Sequence, residues 1–272
     1  MGNSLFNLSG KIIAFSGATG VLGEAMSRYL AKEGATILIL GRNEVKIEDL
    51  IVKIKSEGGK AEGFQCDVTD EDQVKKAAEE VKKAVGSIDI LINAAGGNMP
   101  GAVIRPDQKF LYLDAKALKK VMDLNYLGTV LPTKHFLPLM LAQNKGNIIN
   151  ISSMAASRPM TRVMGYASAK AAIDNLTKWL AVELAKKHGP DFRVNAIAPG
   201  FFLTEQNRTL LTENDGSLTS RGNQIIEHTP MDRFGKPEDL FGALQWLCSD
   251  ASAFVTGTII PVDGGFSAFS GV

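Results

Sequence analysis

Short apolar runs alternate with amphipathic stretches along most of the chain. The runs are rich in isoleucine, leucine and valine and predict buried strands, while the stretches between them carry the apolar spacing of helices. The predicted strands are Lys11–Ser16, Thr36–Leu40, Ala61–Cys66, Ile88–Asn93, Asn147–Ser152, Arg193–Ala198 and Gly257–Val262. The predicted helices are Val21–Lys32, Asn43–Ser56, Asp70–Val85, Asp114–Gln143, a helix that carries Tyr166 and ends near Lys187, and Pro237–Leu247.

This order predicts an α/β fold. Continuous apolar strands that alternate with helices are typical of a parallel sheet covered on both faces. Right-handed crossovers make such a sheet doubly wound and Rossmann-like. We expect one domain over residues 1–272, because no linker or repeat interrupts the pattern. The segment at about 200–235 is predicted to be irregular, and we expect it to form a substrate lid at the carboxyl edge of the sheet.

Composition narrows the choice of partners. Hydrophobic residues make up 45% of the 272 residues, charged residues make up 22%, and the formal net charge is +1. No block of like charge indicates a nucleic acid or a membrane surface as partner. No apolar run is long enough to span a bilayer and no secretory signal is visible, so we expect a cytoplasmic protein. Cys66 and Cys248 lack metal-ligand spacing, and no metal site is predicted.

A glycine-rich turn follows the first predicted strand and opens the first helix. Glycines at that place let the backbone approach a pyrophosphate, which lies on the unpaired N–H groups of the helix. Glycine spacing alone is a weak signal, but this turn stands in the context that dinucleotide binding requires. The residues that we expect to contact the dinucleotide here are Gly17, Thr19, Gly20, Val21, Leu22 and Gly23.

Three further strand ends bear on the cofactor. Asp67 and Val68 follow the third strand and are placed to touch an adenine, although Asp67 could equally be a helix N-cap. The fourth strand ends in small residues that leave room for a ligand, of which we assign Asn93, Ala94 and Gly96 to the cofactor. The second strand ends at Arg42 without the acid that usually holds the ribose of NAD. This favours NADP, unless Arg42 is simply solvated at a helix start.

Tyr166 and Lys170 are the main candidates for proton transfer. Four positions apart on a helix, they share one face. A lysine ammonium there would favour the phenolate and lower a tyrosine pKa that is ordinarily ~10. Ser153 closes the fifth strand upstream. An ordinary amphipathic helix also contains such spacing, so the pair indicates proton transfer only in combination with the other motifs of the chain.

Taken together, these residues resemble the short-chain dehydrogenase/reductase family over essentially the whole chain. The resemblance is carried by the glycine turn, the segment Asn93–Gly96, Asn125, the set Ser153, Tyr166 and Lys170, and Pro199-Gly200 with Thr204. The glycines are spaced Gly-x-x-Gly-x-x-Gly rather than in the commoner Gly-x-x-x-Gly-x-Gly, which leaves the subfamily open.

The resemblance implies roles for these residues. A hydride would pass between the nicotinamide and a substrate carbonyl carbon while Tyr166 exchanges a proton with the oxygen, and Ser153 would hold that oxygen. Lys170 would lower the Tyr166 pKa and bind the nicotinamide ribose. Asn125 would keep a water in a proton relay, although by itself it could also mark a helix kink or cap. Pro199, Gly200 and Thr204 would clamp the nicotinamide, and a homotetramer is implied.

Three segments resemble the fructuronate reductase (mannonate oxidoreductase) branch of that family, namely Ala198–Leu211, His228–Met231 and Pro261–Val272. The resemblance implies a sugar-acid substrate, D-fructuronate or D-mannonate. A hexuronate needs a guanidinium for its carboxylate and polar groups for its alcohols. The candidates for these contacts are Asn98, Arg158, Arg162, Gln206, Asn207, Arg208 and His228. A gluconate 5-dehydrogenase-like or other keto-acid reductase, and more remotely a non-catalytic nucleotide sensor, remain as alternatives.

Overall fold

The computed structural model describes residues 5–204 and 207–271 of the chain. Its strands are β1 Ile12–Ser16, β2 Thr36–Gly41, β3 Lys60–Gln65, β4 Ile90–Asn93, β5 Gly146–Ile151, β6 Phe192–Pro199 and β7 Ile259–Val262. Its α-helices are α1 Val21–Lys32, α2 Glu44–Ser56, α3 Glu71–Val85, α4 Ala115–Met122, α5 Gly128–Leu141, α6 Met164–His188, α7 Arg208–Leu211, α8 Ser220–Glu227 and α9 Phe241–Cys248. Within these residues, none of the helices combines the length and apolarity needed to cross a membrane.

The strands form one parallel sheet in the order β3-β2-β1-β4-β5-β6-β7. The order reverses between β1 and β4, where Ser16 pairs with Asn93. In such sheets, ligands bind in the crevice at the carboxyl ends of the strands beside the reversal. The predicted single-domain, Rossmann-like α/β fold is therefore confirmed.

Strands β1, β2 and β4 are buried on both faces, which explains why they are continuously apolar. Successive side chains of β2 point to opposite sides. Ile37 and Ile39 join a core beneath α1, α2 and α9, whereas Leu38 and Leu40 join a second core beneath α3, α5 and α6. If one face of the sheet were exposed to water, apolar and polar residues would alternate along these strands.

The predicted helix Asp114–Gln143 is interrupted. Between α4 and α5 the chain makes a π-helical turn over Asp123–Leu127. Such single-turn bulges widen a helix locally and are frequent at functional sites. Here the bulge contains the buried side chain of Asn125, so this residue marks an irregular turn between the two helices.

The 200–235 segment is more regular than predicted. It contains α7 and the two-turn helix α8, whose N-cap Thr219 accepts a hydrogen bond from the N–H of Gly222 at 3.0 Å. The ends of the segment are tied together, since the N–H of Gly235 donates to the carbonyl of Phe201 at 2.8 Å. The prediction of an irregular segment was wrong because a helix of eight residues gives little periodic signal among polar neighbours.

Candidate active site

A cavity of about 440 Å³ opens at the carboxyl edge of the sheet, beside the reversal of strand order. It runs from the ends of β2 and β3, past the start of α1, to the ends of β5 and β6. The predicted residues that line it are Gly17, Thr19, Gly20, Val21, Leu22, Gly23, Arg42, Val68, Ala94, Gly96, Ser153, Tyr166, Lys170, Pro199, Gly200, Thr204 and Asn207. The fold thus brings most of the predicted cofactor residues and three of the four predicted catalytic residues to one cavity.

The glycine turn fits a dinucleotide phosphate. Gly17 has a φ of 76°, and a Cβ there would lie 2.5 Å from the backbone of Ala94. A Cβ on Gly23 would lie 2.1 Å from the carbonyl oxygen of Gly17. Side chains are therefore excluded on steric grounds. The N-cap of α1, Gly20, provides no side-chain hydrogen bond. The first N–H groups of α1 are left to face the cavity, which is the arrangement that binds phosphate.

The far end of the cavity shows a pairing that the sequence did not reveal. Nη1 of Arg42 lies 3.7 Å from Oδ2 of Asp67, and the Arg42 side chain is 69% exposed. Asp67 also accepts hydrogen bonds from the N–H and hydroxyl of Thr69 at 2.9 and 2.7 Å. It does not line the cavity, so its predicted adenine contact is not supported. The N-cap alternative was wrong as well, because Asp70 caps α3.

Asn93 is a structural residue rather than a cavity residue. Its side chain is 2% exposed and its Nδ2 donates to Thr133 Oγ1 and Asn150 Oδ1, both at 3.0 Å. The amide thus ties the ends of β4 and β5 to α5. The prediction that Asn93 binds the cofactor was wrong in this respect, since its side chain points into the core beneath the strand end.

Ser153, Tyr166 and Lys170 meet where the cavity borders the end of β5 and the start of α6. Ser153 follows β5, and its Oγ accepts a hydrogen bond from the N–H of Ala155 at 3.2 Å. Lys170 is 3% exposed, and its Nζ donates to the carbonyl of Ile151 at 2.7 Å. The same Nζ lies 5.6 Å from the centre of the Tyr166 ring. The helix spacing therefore holds the ammonium against the phenol, as predicted.

The pKa of Tyr166 shifts in the opposite direction to the one predicted. Burial raises the pKa of the Tyr166 phenol, and the hydrogen bond with Ser153 partly offsets this. Burial lowers the pKa of Lys170 to about 8, with Asp174 acting in the opposite direction. The protein groups by themselves thus favour the neutral phenol, and the expected lowering of the Tyr166 pKa is contradicted. Removal of water from the pair outweighs the attraction between ammonium and phenolate.

Asn125 is fully engaged with the backbone. Its Nδ2 donates to the carbonyls of Gly97 at 2.7 Å and Val121 at 2.8 Å, and its Oδ1 accepts from the N–H of Gly97 at 3.1 Å. A Cβ on Gly96 would lie 2.6 Å from this Oδ1 and 3.2 Å from Nζ of Lys170. Asn125 therefore positions the Gly96-Gly97 turn beside Lys170, and its predicted relay role remains a prediction.

Asp174 is a component that sequence reasoning missed. It lies one turn beyond Lys170 on α6, and it accepts a hydrogen bond from the hydroxyl of Ser152. Burial raises its pKa, which the bond from Ser152 and the charges of Lys178 and Lys170 oppose. An acid four residues after the lysine was visible in the sequence, but burial of that face was not.

The predicted substrate residues are not brought together. Asn98, Arg158, Arg208 and His228 are exposed and do not line the cavity. Arg158 donates to the carbonyl of Ser267, and Nδ1 of His228 lies 2.8 Å from the carbonyl of Gln224.

Asn207 does line the cavity, but its Oδ1 accepts from the N–H of Thr204 and its Nδ2 donates to the carbonyl of Phe202, both at 2.8 Å. Its amide therefore braces the predicted nicotinamide clamp. Arg162 is partly buried just before α6. Gln206 lies outside the described residues.

Comparisons with known proteins agree with this site. A family model described as enoyl-(acyl carrier protein) reductase matches residues 17–267. An uncharacterised oxidoreductase named UxuB from Bacillus subtilis is 44% identical over 275 residues, covering 98% of each chain. The structure of a candidate D-mannonate oxidoreductase from Haemophilus influenzae with bound NAD superposes with a TM-score of 0.92 at 43% identity, covering 99% of this chain and 100% of that one.

A gluconate 5-dehydrogenase from Burkholderia cenocepacia, solved with NADP and tartrate, superposes with a TM-score of 0.86 at 32% identity, covering 98% of this chain and 100% of the other. The chain belongs to the short-chain dehydrogenase/reductase family. It is a nicotinamide-dependent oxidoreductase that acts on a CH–OH or C=O group, which removes the non-catalytic sensor from consideration.

Proposed function

We propose that the protein interconverts a sugar-acid ketone and its alcohol, with D-fructuronate and D-mannonate as the pair. The observation that carries the proposal is that Tyr166, Lys170 and Ser153 line the same cavity as the glycine turn. The similarity to a candidate D-mannonate oxidoreductase over the full chain supports the choice of substrate. Similarity to a gluconate 5-dehydrogenase supports a 5-keto-gluconate as the second candidate.

Tyr166, Ser153 and Lys170 have separate roles in the proposed reaction. The nicotinamide, when bound, supplies or accepts the hydride. Tyr166 donates its phenolic proton to the carbonyl oxygen in reduction and takes it back in oxidation. Ser153, which already interacts with Tyr166, donates a hydrogen bond to the same oxygen. Lys170 holds the nicotinamide ribose and provides positive charge beside the phenol.

The cofactor would lie along the whole cavity. The start of α1 would bind the pyrophosphate, Val68 and Ala94 would flank the adenosine half, and Pro199, Gly200 and Thr204 would enclose the nicotinamide; all five of these residues line the cavity. Arg42 supports a preference for NADP, because its side chain is 69% exposed directly after β2, where an NAD site usually has an acid. Asn125 keeps Gly96 and Gly97 in place for this pocket and would position a relay water near Lys170.

Turnover tests the function directly. Absorbance of the reduced nicotinamide is followed with fructuronate, 5-ketogluconate and an apolar ketone, each with NADH and NADPH. We expect kcat/KM to be highest for fructuronate. Turnover of the apolar ketone with no turnover of either sugar acid would exclude the proposed substrate class, while a clear preference for 5-ketogluconate would select the second candidate.

We further propose that the protein assembles as a homotetramer. The helix α6 carries Trp179 and Val182 on its outer face, where they are 58% and 57% exposed. Large apolar side chains close together on a surface are typical of an interface. Light scattering coupled to gel filtration measures the mass in solution, and a monomeric mass would contradict this.

A further inference from the structure

The face of α6 that carries Tyr166 and Lys170 is hydrogen-bonded to the end of β5 at more than one place. Nζ of Lys170 donates to the carbonyl of Ile151 at 2.7 Å. Asp174 lies one turn further along α6, on the same face, and accepts a hydrogen bond from the hydroxyl of Ser152. Two side chains that are one turn apart on the helix therefore bind two consecutive residues where the strand ends.

A third hydrogen bond extends this contact in the other direction along the strand. Nδ2 of Asn150 donates to Oγ1 of Thr177 at 2.9 Å, and both residues are fully buried. Residues 150, 151 and 152 are thus each hydrogen-bonded to α6, through Thr177, Lys170 and Asp174 respectively. The bond made by Asp174 is the last of the three before Ser153, where the chain leaves the sheet.

The bond between Ser152 and Asp174 combines a buried donor with an ionised acceptor. Ser152 is 2% exposed, and a buried hydroxyl that loses its acceptor is costly. Burial raises the pKa of Asp174, and the bond from Ser152 opposes this rise and so favours the carboxylate. A hydrogen bond to a carboxylate is stronger than one between neutral groups. Removal of either group should therefore release the chain at residue 152.

We propose that Asp174 is a positioning residue for proton transfer and acts through its hydrogen bond with Ser152. The bond holds the end of β5 against α6, which keeps Ser153 in reach of the Tyr166 hydroxyl. The inference rests on the roles proposed above for Ser153, Tyr166 and Lys170. Displacing a reacting group by about 1 Å can lower a rate by about 100-fold, so Asp174 can affect kcat although it does not line the cavity.

A double-mutant cycle on kcat tests whether the two residues act through their mutual bond. Ser152→Ala and Asp174→Ala should each lower kcat for the reduction of fructuronate by roughly 10- to 100-fold. The double variant should lose no more than about threefold beyond either single variant, because the bond is already absent in both. Losses that multiply would show that the residues act independently and would overturn the inference. Circular dichroism at the assay temperature checks that each variant is folded.

Two further variants separate the hydrogen bond from the negative charge. Asp174→Asn removes the charge but keeps an oxygen that accepts from the Ser152 hydroxyl, so kcat should stay within about threefold of wild type. A loss as large as that in Asp174→Ala would assign the effect to the charge and overturn the inference. Glu183→Gln is the matched control, because Glu183 is also an acid four positions from a lysine, Lys187, on the same helix. Its kcat should equal that of wild type.

Cofactor affinity provides a readout that needs no turnover. Lys170 is proposed to hold the nicotinamide ribose, which ADP lacks. Since Lys170 and Asp174 bind the same strand end, Asp174→Ala should raise the Kd of NADH by roughly 10-fold and leave the Kd of ADP within about twofold of wild type. Asp174→Asn should leave both Kd values within about twofold. Equal losses of affinity for NADH and ADP would indicate general damage to the cavity and would overturn the inference.

The outcomes separate this inference from the proposed substrate. Wild-type kcat and wild-type NADH affinity in Asp174→Ala would overturn the positioning role and leave the sugar-acid function standing. The absence of turnover with any sugar acid would contradict the function. A selective loss of NADH affinity in Asp174→Ala would still support the positioning role in that case, because the measurement involves no substrate.

Discussion

The buried ammonium of Lys170 should lower the stability of the fold at neutral pH. Its pKa falls from 10.5 to about 8 because burial disfavours the charged form. Between about pH 8 and pH 10.5, the folded chain binds fewer protons than the unfolded chain, so the free energy of unfolding rises with pH in this interval. Below pH 8 the full cost is present.

The size of this effect follows from the shift. The difference between 10.5 and about 8 corresponds to about 3 kcal/mol at roughly 1.4 kcal/mol per pH unit. Replacing Lys170 with methionine removes that cost but leaves the carbonyl of Ile151 without its donor, which costs about 1–3 kcal/mol. The net change at pH 7 is therefore small, and the dependence on pH is the more decisive quantity.

Urea unfolding of the wild-type protein and Lys170→Met at several pH values measures that dependence. From pH 7 to pH 9.5, we expect the wild-type free energy of unfolding to rise by about 2 kcal/mol relative to the variant. Lys178→Met is the control, because this lysine is exposed on the same helix and its removal should give no such slope. A difference between wild type and Lys170→Met that stays constant with pH would refute the buried-charge argument.

Three other predictions concern the site. Tyr166→Phe removes the transferable proton, so kcat should fall by at least about 100-fold. The Kd of NADH, measured by fluorescence, should change little. Turnover at the wild-type rate would contradict the role of Tyr166 as the acid. Gly23→Ala places a Cβ 2.1 Å from the carbonyl of Gly17, so the turn must shift and cofactor affinity should fall about 10-fold or more, with the fold retained by circular dichroism. Arg42→Gln should raise the KM for NADPH by roughly 10- to 100-fold and leave the KM for NADH nearly unchanged. Equal changes in the two KM values would indicate that Arg42 forms only its ion pair with Asp67 and does not contact a 2′-phosphate.

The pattern of apolar runs was sufficient to predict the sheet and its helices because both faces of every central strand are buried. Leu38 and Ile39 join different cores, and such strands carry no polar position to confuse the pattern. Helix α8 was missed for the opposite reason. It buries only Gly222 and Ile225, too few apolar positions to reveal a helical period.

The predicted catalytic residues that line the cavity together lie where the backbone alone fixes the side chain. Tyr166 and Lys170 share a helix face, and Ser153 follows a strand end. The predicted cofactor residues Asn93 and Asp67, which do not line the cavity, have a feature in common. Each residue follows a strand near the cavity, but local hydrogen bonds turn Asn93 into the core and Asp67 toward Thr69. Spacing along the chain gives the position of a residue and not the direction of its side chain.

The direction of the pKa shifts also bears on how the site handles protons. Burial raises the pKa of the Tyr166 phenol and lowers the pKa of the Lys170 ammonium, so it disfavours the charged form of each group. Asp174 counteracts this at the lysine, and with a pKa of about 8 the ammonium is still about 90% protonated at pH 7. The phenol is therefore held as a proton donor, the state that ketone reduction requires. Alcohol oxidation needs the phenolate, which the remaining ammonium and the hydroxyl of Ser153 would have to stabilise.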